Sequence, residues 1–194
     1  MERILAKYQQ LYTRSECHMD TWKELKKQFC KELSAASSVI GRLPLLADDS
    51  LYGIFADVEG FKEKLQGRQL DSLEVIMKAM GETLESMERE WKRMEKAWQD
   101  GWKLVQGERS MPTAVEASTR VGPRASIVDC LEGLQDLYVM HRDEHALKVE
   151  IAKAVRYDMA EEDLNALMIL AADEPHIDPS HVKVIFDRFS SSFQ

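Results

Sequence analysis

The sequence predicts an all-α protein: an elongated bundle of three long helices with coiled-coil-like packing, plus short helices at a connector and at the C-terminus. Apolar residues recur at alternating steps of four and three along residues 4–43 and 73–105, which is the spacing of one helix face. Only 9 Gly and 5 Pro among 194 residues leave little chain for turns. A hydrophobic fraction of 44% is ordinary for a protein with a folded core.

The first long helix is predicted to cover about 40 residues, roughly 60 Å if it is continuous. Along residues 4–43, steps of four and three place apolar side chains at nine of twelve positions. The remaining positions hold Ser15, His18 and Glu32, and these polar residues leave a kink or a break open. Pro44 predicts the end of the helix, because a helix interior does not accommodate proline.

A connector with short helices is predicted over residues 45–70, where glycines interrupt an otherwise one-sided apolar spacing, Gly67 being the last of them. The second long helix is predicted to begin at Asp71, since Glu74 three residues later completes a capping box. Charged residues between its apolar positions, Glu90 among them, are predicted to face solvent. Its stripe resembles a coiled-coil seam and comprises Leu73, Met77, Met80, Leu84, Met87, Trp91, Met94, Trp98, Gly101 and Val105.

The last third of the chain is predicted to hold one long and two short helices. Ser126 is expected to cap the long one, and the short ones are expected at about 161–172 and from Pro179 onward. The predicted buried side of these helices comprises Ile127, Leu131, Leu134, Tyr138, Leu147, Ile151, Ala154, Val182, Ile185, Phe189 and Phe193. The predicted organisation is therefore a long helical hairpin with its connector over 1–106, a linker over 107–124, and an acidic helical segment over 125–194 that packs on the same bundle.

Charge and cysteine content exclude several classes of function. The net charge of -8 is concentrated in residues 125–194, with 6 basic and 14 acidic side chains, so direct binding of nucleic acid is not expected. The longest apolar run, 166–172, is far shorter than the ~20 residues that span a bilayer, so no membrane contact is expected. Cys17, Cys30 and Cys130 are scattered, which favours free thiols and an intracellular location.

One short motif suggests catalysis. His141, Glu144 and His145 form the HxxEH pattern of inverted zinc proteases, which places two imidazoles one helical turn apart. A five-residue match is weak evidence, and no third ligand is distinctive in the sequence downstream. No glycine-rich phosphate loop or nucleophile elbow is present either. The sequence therefore predicts no enzyme activity, no metal and no cofactor.

The Met- and Trp-rich stripe of the second long helix is the predicted partner-binding surface. An internal core is the alternative, because apolar residues at helical spacing are core in most proteins. Methionine and tryptophan are common at adaptable protein interfaces, which favours a partner for part of the stripe. Together with three positions of the third long helix, the predicted partner-binding residues are Trp91, Met94, Trp98, Trp102, Tyr138, Leu147 and Ile151.

Several segments resemble the AIRIM family of ribosome-maturation factors. The centre of the likeness is FKEKLQGRQL at 61–70 with MGETL at 80–84. It extends to Thr21-Trp22 and CKEL at 30–33, and to CLEGLQD at 130–136. Gly67 interrupts a stretch that is more basic in the family, and the 107–124 linker aligns poorly.

A second, fainter resemblance is to CINP, the cyclin-dependent-kinase-interacting protein, through Tyr138 and HALKVEIAKA at 145–154. The two resemblances imply a non-enzymatic adaptor that pairs with a CINP-like helical partner and serves a SPATA-type AAA ATPase. That complex would strip maturation factors from pre-60S ribosomal particles, which implies a location in cytoplasm and nucleus. The alternative is a generic coiled-coil scaffold subunit of another multiprotein complex, and the two differ in the partners they would capture.

Overall fold

The computed structural model describes residues 2–55, 58–106 and 125–190, and every regular element within them is helical. The predicted all-α class is therefore confirmed. No helix among these residues combines the length and apolar character needed to cross a bilayer. The predicted linker 107–124 and Phe193 lie outside the described residues. The elements are α1 (Glu2–Ile40), α2 (Leu43–Ala47), a 3₁₀ helix (Asp49–Phe55), α3 (Phe61–Gln106), α4 (Ile127–Ala154), α5 (Glu161–Asp173) and α6 (Pro179–Ser190).

Helix α1 is continuous, and the polar positions that left a break open are hydrogen-bonded instead. The Ser15 hydroxyl donates to the Leu11 carbonyl one turn earlier, at 3.0 Å. Glu32 accepts a 3.1 Å hydrogen bond from the Thr83 hydroxyl of α3. The Ser15 hydroxyl is buried and satisfied, whereas Glu32 is satisfied only at Oε1, because its buried Oε2 has no hydrogen-bond partner among the described residues. Both residues lie within one continuous helix.

Helix α3 begins at Phe61, ten residues before the predicted start. The predicted capping box at Asp71 is therefore wrong, because Asp71 lies inside the helix. Contacts from the first turns to α2 stabilise the early start: Gln66 Nε2 donates to the Leu46 carbonyl at 3.0 Å, and Lys62 Nζ donates to the Ala47 carbonyl at 2.8 Å. A helical glycine such as Gly67 costs only about 1 kcal/mol relative to alanine, which such contacts offset.

The Ser126 cap predicted for α4 and the position of Pro179 predicted for α6 are confirmed. The backbone N–H of Asp129 donates to Ser126 Oγ, and the N–H of Ser126 donates to Asp129 Oδ2, each at 3.0 Å, so the two residues cap α4 reciprocally. At α6, Asp178 Oδ1 accepts from the N–H of Ser180 at 2.8 Å, and Pro179 occupies the first turn. Helix α5 extends one residue beyond its predicted end.

The chain divides into two compact units that do not follow chain order. Unit 1 comprises Met1–Lys23, Met87–His145 and Pro175–Gln194; unit 2 comprises Glu24–Ser86 and Ala146–Glu174. Helices α1, α3 and α4 each contribute one part to each unit. The sequential division at 1–106, 107–124 and 125–194 is a different partition and stays a prediction.

Each unit has its own apolar core. In unit 1 the hydroxyls of two buried tyrosines bind backbone carbonyls on other helices: Tyr8 binds Gly101, and Tyr12 binds Cys130, both at 2.8 Å. In unit 2 residues of α1, α3, α4 and α5 close around Phe29, which is fully buried. The core of unit 1 includes Ile4, Leu11, Met19, Met94, Ala97, Ile127, Leu134, Leu137 and Ile185, and that of unit 2 includes Leu33, Ala36, Ile40, Leu73, Met80, Leu84, Ile151, Leu164 and Ala171.

Candidate protein-binding surface

The tryptophans of α3 flank the buried seam of unit 1 instead of forming it. The residues with little or no exposure are Met87, Glu90, Met94, Ala97 and Gly101, at steps of three and four. This seam is displaced by one residue from the predicted stripe at Trp91 and Trp98, both of which are only partly buried. Because the seam passes beside them, the indole rings lie at the edge of the helix interface.

Trp91 and Trp98 lean toward α4. The Trp98 ring lies 5.2 Å from that of Tyr138, and the Trp91 ring lies 6.3 Å from that of His145, measured between centroids. Trp102 follows Trp98 by four residues on the same helix face, and it is 47% exposed. We define Trp91, Trp98, Trp102 and Tyr138 as the aromatic edge.

The indole Nε1–H groups of Trp91 and Trp98 are shielded from solvent and form no hydrogen bond within the described residues. A buried donor without an acceptor costs about 1–3 kcal/mol. Beside Trp91, the ammonium of Lys92 lies 5.7 Å from the ring centroid and pairs with Glu88 at 2.5 Å. That hydrogen bond holds the pKa of the Glu88 carboxyl below its usual value.

The predicted partner-binding residues do not assemble on one surface. Met94 is 1% exposed and lies in the core of unit 1, next to the aromatic edge. Ile151 is 2% exposed and lies in the core of unit 2. Leu147 is partly buried and packs against the same core. Within unit 1, Trp102 is the most exposed of the predicted residues.

The HxxEH residues serve packing. His141 is buried, its Nδ1 lies 2.7 Å from the Leu137 carbonyl, and its ring meets that of Trp22 edge-on at 4.9 Å. The Glu144 carboxylate is fully buried and accepts a 3.2 Å hydrogen bond from the backbone N–H of His176. His145 meets Trp91 instead, so the two motif histidines contact different helices. No group of three or more potential ligands occurs within the described ranges.

Sequence reasoning placed Glu90 on the solvent face, and that prediction is wrong. Glu90 is 5% exposed, and its carboxylate binds His18 Nδ1 at 2.9 Å and Arg93 at 2.5 Å. The sequence does contain a signal for this burial. Glu90 lies three residues after Met87 and four residues before Met94, so it shares the helical spacing of these buried methionines. A carboxylate can occupy such a seam because the Arg93 guanidinium and the His18 ring nitrogen both contact it and offset its desolvation.

Sequence reasoning also missed Lys148, which is fully buried in unit 2. Its ammonium donates to the Ala171 carbonyl at 2.8 Å and lies 5.8 Å from the centroid of the Phe29 ring. The Glu174 carboxylate is 3.9 Å away and also pairs with Lys26 at 2.8 Å. Lys148 thereby binds the C-terminal end of α5, where carbonyls lack helical partners.

These observations define a class: a helical protein whose HxxEH residues are used for packing and whose aromatic edge includes one exposed ring, that of Trp102. The sequence matches the family model described as "CA109-like: Ribosome biogenesis protein C1orf109-like" over residues 2–192. The chain belongs to this family of ribosome biogenesis proteins. AIRIM is C1orf109, so the predicted family is confirmed. No curated protein matches the chain at a significant level.

Proposed function

We propose that this chain is a non-enzymatic adaptor subunit of a SPATA-type AAA-ATPase complex that acts in cytoplasmic maturation of pre-60S ribosomal particles. The observation that carries the proposal is membership, over residues 2–192, of a family of ribosome biogenesis proteins. The adaptor role fits a chain whose buried histidine and glutamate, His141 and Glu144, are committed to contacts within unit 1. From the proposed action on pre-60S particles, we expect the protein to be located in the cytoplasm and the nucleus.

The proposed partner is a CINP-like helical protein that binds the aromatic edge. Exposed tryptophan is the residue type most enriched among interface hot spots, and Trp102 leaves nearly half of its surface open. The unsatisfied indole donors of Trp91 and Trp98 lie along the same edge. Trp98 packs against the core of unit 1 that includes Met94, and its ring lies 5.2 Å from that of Tyr138. In unit 2, Ile151 is buried and Leu147 is partly buried against the core, so we expect them to affect partner binding only through folding.

Affinity purification of the tagged full-length protein with mass spectrometry tests the complex. We expect a CINP-like protein, an AAA ATPase and pre-60S factors among the captured proteins. Capture of tethering or cytoskeletal proteins without pre-60S factors would contradict the proposal and favour the coiled-coil scaffold.

Titration of the purified partner tests the surface. We expect Trp102→Ala to weaken binding at least tenfold, about 1.4 kcal/mol, without shifting the thermal melt. Tyr157→Ala is the matched control, because Tyr157 is a 68% exposed aromatic residue of unit 2. Equal affinity of the two variants would show that the partner binds elsewhere.

A further inference from the structure

A second surface, in unit 2, combines exposed apolar side chains with negative charge. Leu51, Ile54, Phe55 and Val58 are 62%, 86%, 53% and 50% exposed. Leu51, Ile54 and Phe55 lie on the 3₁₀ helix and Val58 lies in the turn before α3, and of these Phe55 and Val58 line one cavity. Folded proteins seldom leave such patches uncovered unless a partner binds them.

Aromatic contacts hold this surface in a defined shape. Phe55 stacks on Phe61 with centroids 5.6 Å apart, and Tyr52 meets Phe61 edge-on at 6.0 Å. The Tyr52 hydroxyl donates to the Leu46 carbonyl at 2.7 Å, which ties the 3₁₀ helix to α2. Gly60, with φ of 71°, supplies the left-handed turn into α3 that favours glycine.

Residues of the 3₁₀ helix, of the turn that follows it and of the first turn of α3 line a cavity of about 420 Å³, a volume within the usual range of ligand pockets. Its apolar part is formed by Tyr52, Phe55 and Val58. We call it the connector pocket.

The rim of the connector pocket is acidic. The carboxylates of Asp49, Glu59 and Glu63 line it, and among the described residues Lys62 is the one cation that lines it with them. Lys62 is already engaged, because its ammonium contacts Asp49 at 2.5 Å and the Ala47 carbonyl at 2.8 Å. Three carboxylates and one ammonium leave a local charge of about -2, which repels phosphate and attracts cationic side chains.

We propose that the connector pocket binds a basic, amphipathic segment of a partner protein, one that inserts an aliphatic or aromatic side chain between flanking lysines and arginines. The acidic rim favours a basic peptide over RNA or an anionic membrane, and the apolar floor supplies the buried area that charge alone does not. This surface belongs to unit 2 and the aromatic edge to unit 1, so the inference goes beyond the proposed pairing and can fail independently of it.

Fluorescence anisotropy on the full chain tests the inference with two labelled peptides. The basic peptide has Leu and Phe at helical spacing, with Lys and Arg at the positions between them. The acidic peptide keeps the same apolar residues and has Glu in place of every Lys and Arg. We expect the basic peptide to bind at least tenfold more tightly, with an affinity that falls as salt rises. Equal binding of both peptides, or tighter binding of the acidic peptide or of a poly-uridine oligonucleotide, would overturn the inference.

Two pocket variants locate the site. Neutralising the rim with Asp49→Asn, Glu59→Gln and Glu63→Gln together is expected to weaken basic-peptide binding at least tenfold, and so is Val58→Ser, which makes the floor polar. The matched control neutralises three exposed acids of α3, with Asp71→Asn, Glu74→Gln and Glu85→Gln, and changes the net charge equally. Binding that falls equally in the rim and control variants would show a nonspecific charge effect and reject the pocket. Circular dichroism verifies that each variant keeps its helix content.

Discussion

The Tyr8 hydroxyl donates a hydrogen bond to the Gly101 carbonyl 2.8 Å away, and this contact joins α1 to α3 inside unit 1. The two helices approach so closely there that a Cβ on Gly101 would lie 2.9 Å from Tyr8 Cε1 and 3.3 Å from Leu134 Cδ1. Gly101 is therefore a packing requirement of the seam, and its helical backbone needs no special dihedral angle.

Replacing Gly101 by alanine should destabilise the protein. We expect Gly101→Ala to lower the free energy of unfolding by up to about 2 kcal/mol, because an overpacking cost of about 1–3 kcal/mol outweighs the gain of about 1 kcal/mol in helix propensity. Gly81→Ala is the matched control, since Gly81 is an exposed α3 residue and a Cβ placed there would meet no described atom within 4 Å. The control should gain about 0.5–1 kcal/mol in urea denaturation. Equal stabilisation of both variants would contradict the close approach.

Removing the buried ammonium of Lys148 should be costly. Lys148→Ala leaves a cavity and takes the strongest donor from the Ala171 carbonyl, so we expect a loss of about 2–4 kcal/mol in urea denaturation. Lys153→Ala serves as the control on the same helix: its ammonium is exposed and pairs with Glu150 at 2.7 Å, and surface pairs contribute at most about 1 kcal/mol. A Lys148 variant as stable as the control would show that this ammonium is not buried.

Alanine substitutions at Trp98 and Trp102 should differ in their effect on the free energy of unfolding. Trp98 packs against the core of unit 1, so Trp98→Ala is expected to lower the unfolding free energy by about 3 kcal/mol. Trp102→Ala should change it by less than about 1 kcal/mol, because nearly half of the side chain is already in water. Urea melts followed by circular dichroism measure both. Identical losses would place the two rings in the same environment and contradict the position of the seam.

Stability should fall at high pH. Burial raises the pKa of Cys130 to about 12 and that of Tyr12 well above its ordinary value of 10. Above pH 9 the unfolded chain therefore releases protons that the folded chain retains, so the free energy of unfolding decreases as pH rises. Each group contributes at most about 1.4 kcal/mol per pH unit.

Urea melts at pH 7.5, 9 and 10.5 measure this slope. Tyr12→Phe removes one of the retained protons and should flatten the decline between pH 9 and 10.5. Its stability at pH 7.5 is expected to fall by about 1 kcal/mol, since the hydrogen bond to the Cys130 carbonyl is lost. An unchanged slope in Tyr12→Phe would contradict the burial of the Tyr12 hydroxyl.

Local chemistry allowed much of the fold to be predicted from the sequence. The apolar periodicity of α1, the Ser126 cap of α4, and Pro179 in the first turn of α6 each depend on residues a few positions apart. Such signals act within one helix, so they identify helices without knowledge of their neighbours. The start of α3 was misplaced because the contacts that stabilise its first turns come from α2.

The tertiary structure decided which positions of each helix are buried against other helices. In α4 one run of buried positions recurs at steps of three and four as Cys130, Leu134, Leu137, His141, Glu144, Lys148 and Ile151. Three of these are polar, and periodicity based on apolar residues alone therefore passed over them. His141, Glu144 and Lys148 are buried because Trp22, the His176 backbone and the Ala171 carbonyl meet them.

The sequence by itself thus determined that this chain is helical, where most of its helices begin, and which family it resembles. Which face of each helix is buried depended on the tertiary structure, and so did the exposure of Trp102 and the division into two compact units. The physical reason is that the burial of polar side chains such as Glu144 and Lys148 depends on hydrogen-bond partners from segments distant in the chain, and the sequence does not show which segments come close together.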